Sequence, residues 1–232
     1  YSNDILITGG STLNQMLSSA KIGFAPANYT KLADFASQVL KGAEVSAPDY
    51  LLIGTANKSA NLWNAWSGAQ KTLGGTVASA SADSLAQLIS ILKSQSSDGA
   101  KKFQVITISG HGASEALPGV SLAKGGSPSA PPAQRLDLKT LNDNPSLASQ
   151  LSLALKNALV PGGVLRFTSC GYSEKLPEGV WQTELTNLAK KLGVIVGASP
   201  VPMSSQGFPP NYGPFFGSAN GLAANYWVYG LP

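Results

Sequence analysis

The stretch Phe103-Gln104-Val105-Ile106-Thr107-Ile108-Ser109-Gly110-His111-Gly112 decides how this chain is read. Its first part, Phe103–Ser109, is rich in β-branched residues and reads as a buried strand. A histidine between two glycines follows at once. Upstream, Ala82–Ser94 carries Leu85, Leu88, Ile89 and Leu92 at i, i+3, i+4 and i+7, which predicts an amphipathic helix with Ser81 as its N-cap. Before it, Thr76–Ser81 reads as a strand. A helical stretch with Leu62, Trp63 and Trp66 ends near Gly74-Gly75, and Tyr50–Ala56 is the first strand of the series. Downstream, residues 112–144 read as loop, with the Gly/Ser/Pro-rich piece Lys124–Gln134 inside it. Asn144-Pro145 opens a helix as cap and first residue, with Leu147, Leu151 and Leu155 facing inward. Val164–Ser169 is a fourth strand, Trp181, Leu185, Leu188 and Leu192 line another helix, and Val194–Ala198 is a fifth strand. The aromatic C-terminal segment, with Tyr226, Trp227 and Tyr229, reads as packed loop and edge strand.

Strands alternating with helices predict an α/β protein, a mostly parallel central sheet with helices on both faces and right-handed crossovers. Such sheets bind ligands and react at the carboxyl ends of their strands. Residues 1–48 read as an N-terminal extension packed on the core, with a short strand at Ile5–Ile7 and a helix over Thr30–Leu40; residues 49–232 form the main domain.

Composition removes several classes. The chain has 232 residues, room for one decorated domain or two small ones. Charged residues are 12%, roughly half the usual share, so the surface is polar but weakly charged. No run of 18 apolar residues exists, so no membrane-spanning helix is expected. The opening at Tyr1 lacks the basic-then-apolar pattern of a signal peptide, which reads as a mature form or an excised domain. Net charge is +4 with only Arg135 and Arg166 as arginines. The lysines are scattered along the sequence with no phosphate-tracking stripe, so nucleic acid is not an expected partner.

The chain holds one cysteine and one histidine. That excludes an intrachain disulfide and a Cys/His zinc site, and no metal or cofactor is expected. His111 lies just past the third strand and Cys170 just past the fourth. If those strands are parallel neighbours, their ends stand about 5 Å apart. A thiolate is the nucleophile of acyl transfer and an imidazole shuttles the proton to the leaving amine. The amides of Gly112 and Cys170 are candidate oxyanion donors, and such a hole supplies roughly 3 kcal/mol per donor. The bland alternative is a core-filling thiol and a structural histidine. Glu115, Glu174 and Glu178 lie near the two motifs and read chiefly as solvated loop carboxylates. Trp63, Trp66 and Trp181 read as core rather than ligand platforms.

A hydrophobic strand ending in Ser109-Gly110-His111-Gly112, followed 59 residues later (170 − 111) by one ending in Ser169-Cys170-Gly171, resembles the caspase-like cysteine peptidases of clan CD. The histidine block is similar to that of metacaspases. The long loop, the cysteine block and Leu188–Ala198 look closer to the self-processing cysteine protease domains of bacterial toxins. The resemblance covers about residues 49–200. It implies a three-layer caspase-like fold and a His111–Cys170 dyad with no obligatory third member. It also implies a peptide or protein substrate and self-processing, with Lys124–Gln134 where such enzymes carry processing loops. Thr168 stands where metacaspases carry an Asp that reads a basic substrate residue, so a small or apolar residue is expected before the cut. Toxin-type domains are activated by inositol phosphate through a basic cluster, which the scattered cations here do not offer. An activator of another kind, small molecule or protein, stays open, as do secretion as a bacterial effector and a cytoplasmic location.

Two other readings stand beside this one. The chain could be a catalytically inactive binding or scaffold module on the same fold. It could also be a nucleotide-using α/β enzyme built on Thr8-Gly9-Gly10, although that stretch lacks the third glycine and the later acidic residue of a dinucleotide fingerprint. The absence of a Gly-x-Ser-x-Gly elbow argues against a serine hydrolase.

Overall fold

The computed structural model describes residues 49–55, 76–113, 116–123, 130–169, 175–177, 179–198 and 228–232. Eight strands and four α-helices fall within them. In chain order these are β1 (Asp49–Thr55), β2 (Thr76–Ala82), α1 (Leu85–Gln95), β3 (Phe103–Ser109), β4 (Gly119–Ser121), β5 (Arg135–Asp137), α2 (Leu138–Asp143), α3 (Pro145–Ala158), β6 (Leu159–Thr168), α4 (Val180–Leu192), β7 (Ile195–Ala198) and β8 (Val228–Gly230). The six-stranded main sheet runs β2-β1-β3-β6-β7-β8, and β4 and β5 form a separate pair. The strands β1, β2, β3, β6 and β7 are mutually parallel, and β8 closes the edge antiparallel to β7.

The inner strands β1, β3 and β7 and the second half of β6 are buried on both faces, which is why they read as apolar runs rather than alternating ones. On one face Leu51, Ile53, Ile106, Ile108, Leu165, Phe167 and Val196 join the apolar stripes of the helices in one core. The three longer helices each bury one stripe: Leu85, Leu88, Ile89 and Leu92 on α1, Leu151 and Leu155 on α3, and Trp181, Leu185, Leu188 and Leu192 on α4. Each such leucine contributes about 2 kcal/mol of transfer free energy. Residues of the opposite parity, Leu52, Thr107, Val164, Arg166 and Ile195, are buried as well. Alternation along a strand puts them on the second face. Register sets Thr107 beside Arg166, so a wholly buried polar pair of positions crosses the middle of that face. The expected helix between β1 and β2 lies in 56–75, outside the described residues, as does the whole 1–48 extension. Helix packing on the first face is therefore what the described residues establish.

Several boundaries move from their sequence expectation. The helix after β2 starts at Leu85, not Ala82, because Ala82 stays in the strand opposite Thr55. Ser84 rather than Ser81 is its N-cap, its Oγ accepting from the Gln87 amide at 3.3 Å. The helix opened by Pro145 is as expected, but Asn144 does not cap it through its side chain. Its Nδ2 instead donates to the Thr140 carbonyl at 2.9 Å, closing the preceding helix. β6 begins at Leu159, five residues early, running through Pro161-Gly162-Gly163 by way of a register irregularity opposite Phe103–Val105. Residues 112–144 are not simply loop: they hold β4, β5 and α2, the last capped by the Asp137 carboxylate accepting from the Thr140 amide at 2.7 Å.

Candidate active site

The strand order fixes where chemistry can collect. From β1 the chain steps outward to β2, then returns past β1 to β3 and continues in one direction to β6 and β7. The reversal creates a switch point between β1 and β3, and crevices in open parallel sheets form at the carboxyl ends flanking such a point. β3 borders it, and His111 follows β3 by two residues.

β3 and β6 are adjacent and parallel, with Ser109 opposite Thr168 as the last paired positions. Two residues beyond Ser109 stands His111; two residues beyond Thr168 in the sequence stands Cys170. Cys170 itself lies outside the described residues, as do Glu115, Glu174 and Glu178 and residues 124–129. The structure therefore places one of the two expected catalytic residues and the strand end that leads to the other.

The histidine is exposed and Gly112 half-buried, while Ala113 beyond them is fully buried and seats the loop in the core. The imidazole is thus open to a ligand while its backbone is held. The hold is a bridge between His111 and Ser121, in which the Ser121 amide donates to the His111 carbonyl at 2.7 Å. Strand β4, which carries Ser121, is paired with β5 through Val120 and Leu136. Leu122 N–H extends the pairing with a 2.7 Å bond to the Gln134 carbonyl.

A second bond holds β4 at its other end. Ser169, the residue after β6, is 4% exposed. Its Oγ donates to the Gly119 carbonyl at 2.7 Å. Gly119 is a position that demands glycine: its φ is +153°, and a β-carbon there would lie 2.6 Å from the Leu136 carbonyl oxygen. Sequence reasoning missed Gly119, Ser121 and Ser169, since three-residue strands carry no readable period and a serine beside a cysteine carries no signal of burial. At the base of the hairpin, Arg135 Nε stands 3.5 Å from Asp137 Oδ2.

Among the described residues no group of three or more His, Cys, Asp and Glu side chains gathers to hold a metal ion. No helix of the described residues is long and apolar enough to cross a membrane. Trp181 is buried in the core, as its helical spacing implies.

Fold and site together define an α/β protein with a mostly parallel sheet, whose exposed histidine stands at the carboxyl edge, backed by a small hairpin. No family model, curated protein or solved structure matches the chain.

Proposed function

We propose that this chain is a cysteine endopeptidase of a three-layer, caspase-like fold, with Cys170 as nucleophile and His111 as the proton carrier. The observation that carries the reading is the β3–β6 register. Ser109 and Thr168 are directly paired, and the two reactive residue types follow at the same offset on each chain. Neighbouring parallel strands are about 4.8 Å apart, a spacing at which one peptide bond can meet a base and a nucleophile together. The exposure of His111 and the burial of Ala113 behind it suit that task.

The chemistry follows from the residue types. The Cys170 thiolate adds to the scissile carbonyl carbon, forming a C–S bond and moving the carbonyl π electrons onto oxygen. The amides of Gly112 and Cys170 donate to that oxygen. Collapse breaks the C–N bond as the His111 imidazolium gives its proton to the leaving amine. Water then adds to the thioester, His111 takes its proton, and the C–S bond breaks to release the acid and the thiolate. The residue before the cut is small or apolar, and one substrate is the chain's own Lys124–Gln134 stretch.

The test is hydrolysis of a mixed peptide library read by mass spectrometry, with the intact chain analysed in parallel. Cleavage after small or apolar residues is expected, abolished by Cys170→Ala and by His111→Ala. Cleavage that survives Cys170→Ala, or none by the wild type under any reducing condition, overturns the assignment.

A further inference from the structure

Resting on the dyad reading, we propose that Ser169 is a positioning residue: through strand β4 it sets where the His111 loop stands relative to the end of β6. Two hydrogen bonds carry the inference. The buried Ser169 Oγ donates to the Gly119 carbonyl at 2.7 Å, across 50 residues of sequence. The Ser121 amide, at the other end of the same strand, donates to the His111 carbonyl at 2.7 Å. β4 is therefore a splint, fastened at Gly119 to the residue that follows β6 and at Ser121 to the histidine itself.

The splint is stiff because its far side is held independently. Gly119, Val120 and Ser121 pair with Asp137, Leu136 and Arg135. Asp137 is in turn tied down as the cap of α2. Val120 and Leu136 are fully buried, so the strand cannot rotate without opening the core. Sheet pairing between β3 and β6 stops at Ser109 and Thr168. Beyond that row the ties through β4 take over registering the two rims. A hydroxyl buried as deeply as that of Ser169 leaves an unsatisfied carbonyl when it is removed, so its loss acts on Gly119 first and on His111 through Ser121. Ser169 touches no reacting atom in this scheme; it acts through the hairpin.

The test compares Ser169→Thr with Ser169→Val in the full chain. The two side chains share a shape and differ in the hydroxyl, so any packing cost at this buried site is common to both. Three readouts are taken: amide exchange of Ser121, the imidazole resonance of the chain's one histidine, and the effect of adding His111→Ala on alkylation of Cys170. We expect Ser121 exchange about tenfold faster in the Val variant than in the Thr variant, the worth of one hydrogen bond. The imidazole signal shifts between the two, and His111→Ala slows alkylation in the Thr variant but not in the Val variant. Equal Ser121 exchange and equal imidazole signals overturn the inference, whatever the melting temperatures do. A wild-type alkylation rate indifferent to His111 is a separate failure. It overturns the dyad reading, and it is told apart because Ser121 exchange still separates Thr from Val.

Discussion

Gly119→Ala is the substitution for which the structure gives the largest effect from the smallest change. Gly119 has φ +153°, a region that L side chains rarely enter. An added β-carbon would stand 2.6 Å from the Leu136 carbonyl oxygen and 3.0 Å from the β-carbons of Ala113 and Asp137. None of these can swing aside. Leu136 and Asp137 are backbone-paired with β4, and Ala113 is wholly buried. Holding a non-glycine residue in such a conformation costs about 1–3 kcal/mol. Forcing one methyl into a packed site costs about 1–3 kcal/mol more. The midpoints sum to about 4 kcal/mol, a large part of the ~5–15 kcal/mol that holds a typical domain together. At this chain length that is a fall in Tm of about 8–16 °C. Urea unfolding followed by tryptophan fluorescence measures it, with Trp181 buried in the core as a reporter. The midpoint should fall at unchanged slope, the mark of lost stability rather than an altered denatured state. A loss under about 1 kcal/mol, the range of an ordinary substitution, would refute the argument that β4 is rigidly seated.

The remaining predictions use the same assay. Gly193→Ala, at the left-handed end of α4 (φ +68°), would meet the Lys156 side chain, whose flexible tip can move; the loss should be only the conformational cost, about 1 kcal/mol, and a loss as large as that of Gly119→Ala would contradict the distinction. Ser84→Ala removes the hydroxyl that caps α1 and should cost about 1 kcal/mol, whereas Ser81→Ala should cost less because Ser81 lies within β2. Leu188→Ala empties a fully buried position on α4 and should cost about 2–5 kcal/mol, with a smaller value meaning that the α4 stripe is not core.

What the sequence made legible follows from length and periodicity. Phe103–Ser109 was readable to the residue because its run of β-branched side chains is bounded by glycine on one side. The α4 stripe was readable because four apolar residues repeat over three turns before Gly193 ends the helix. The start of α1 is not legible in the sequence, where Ser81 reads as the cap: the pairing of Ala82 with Thr55 carries the strand one residue past Ser81, and Ser84 caps the helix instead. The first half of β6 is hidden in the sequence by Pro161-Gly162-Gly163, residues that speak for a turn unless a neighbouring strand accepts the irregularity. The β4–β5 hairpin and α2 were missed because three and six residues are too short to show a period. The place of His111, just past the end of β3, is legible in the sequence because the apolar run stops at Ser109-Gly110. Its support is not, because the Ser169–Gly119 bond joins residues 50 apart.

The central claim, a thiol activated by the lone histidine, is tested most directly by the rate of Cys170 alkylation with iodoacetamide against pH, in the wild type and in His111→Ala. An ordinary cysteine titrates at about pH 8.5, and a histidine-paired one at about 7.5 or below. The wild type should therefore react several-fold faster than an ordinary thiol at pH 6.5, its larger thiolate fraction outweighing the lower nucleophilicity of each thiolate, with the advantage lost in His111→Ala. A rate that tracks an unperturbed thiol and ignores the substitution, or no reaction until the protein unfolds, would contradict the account.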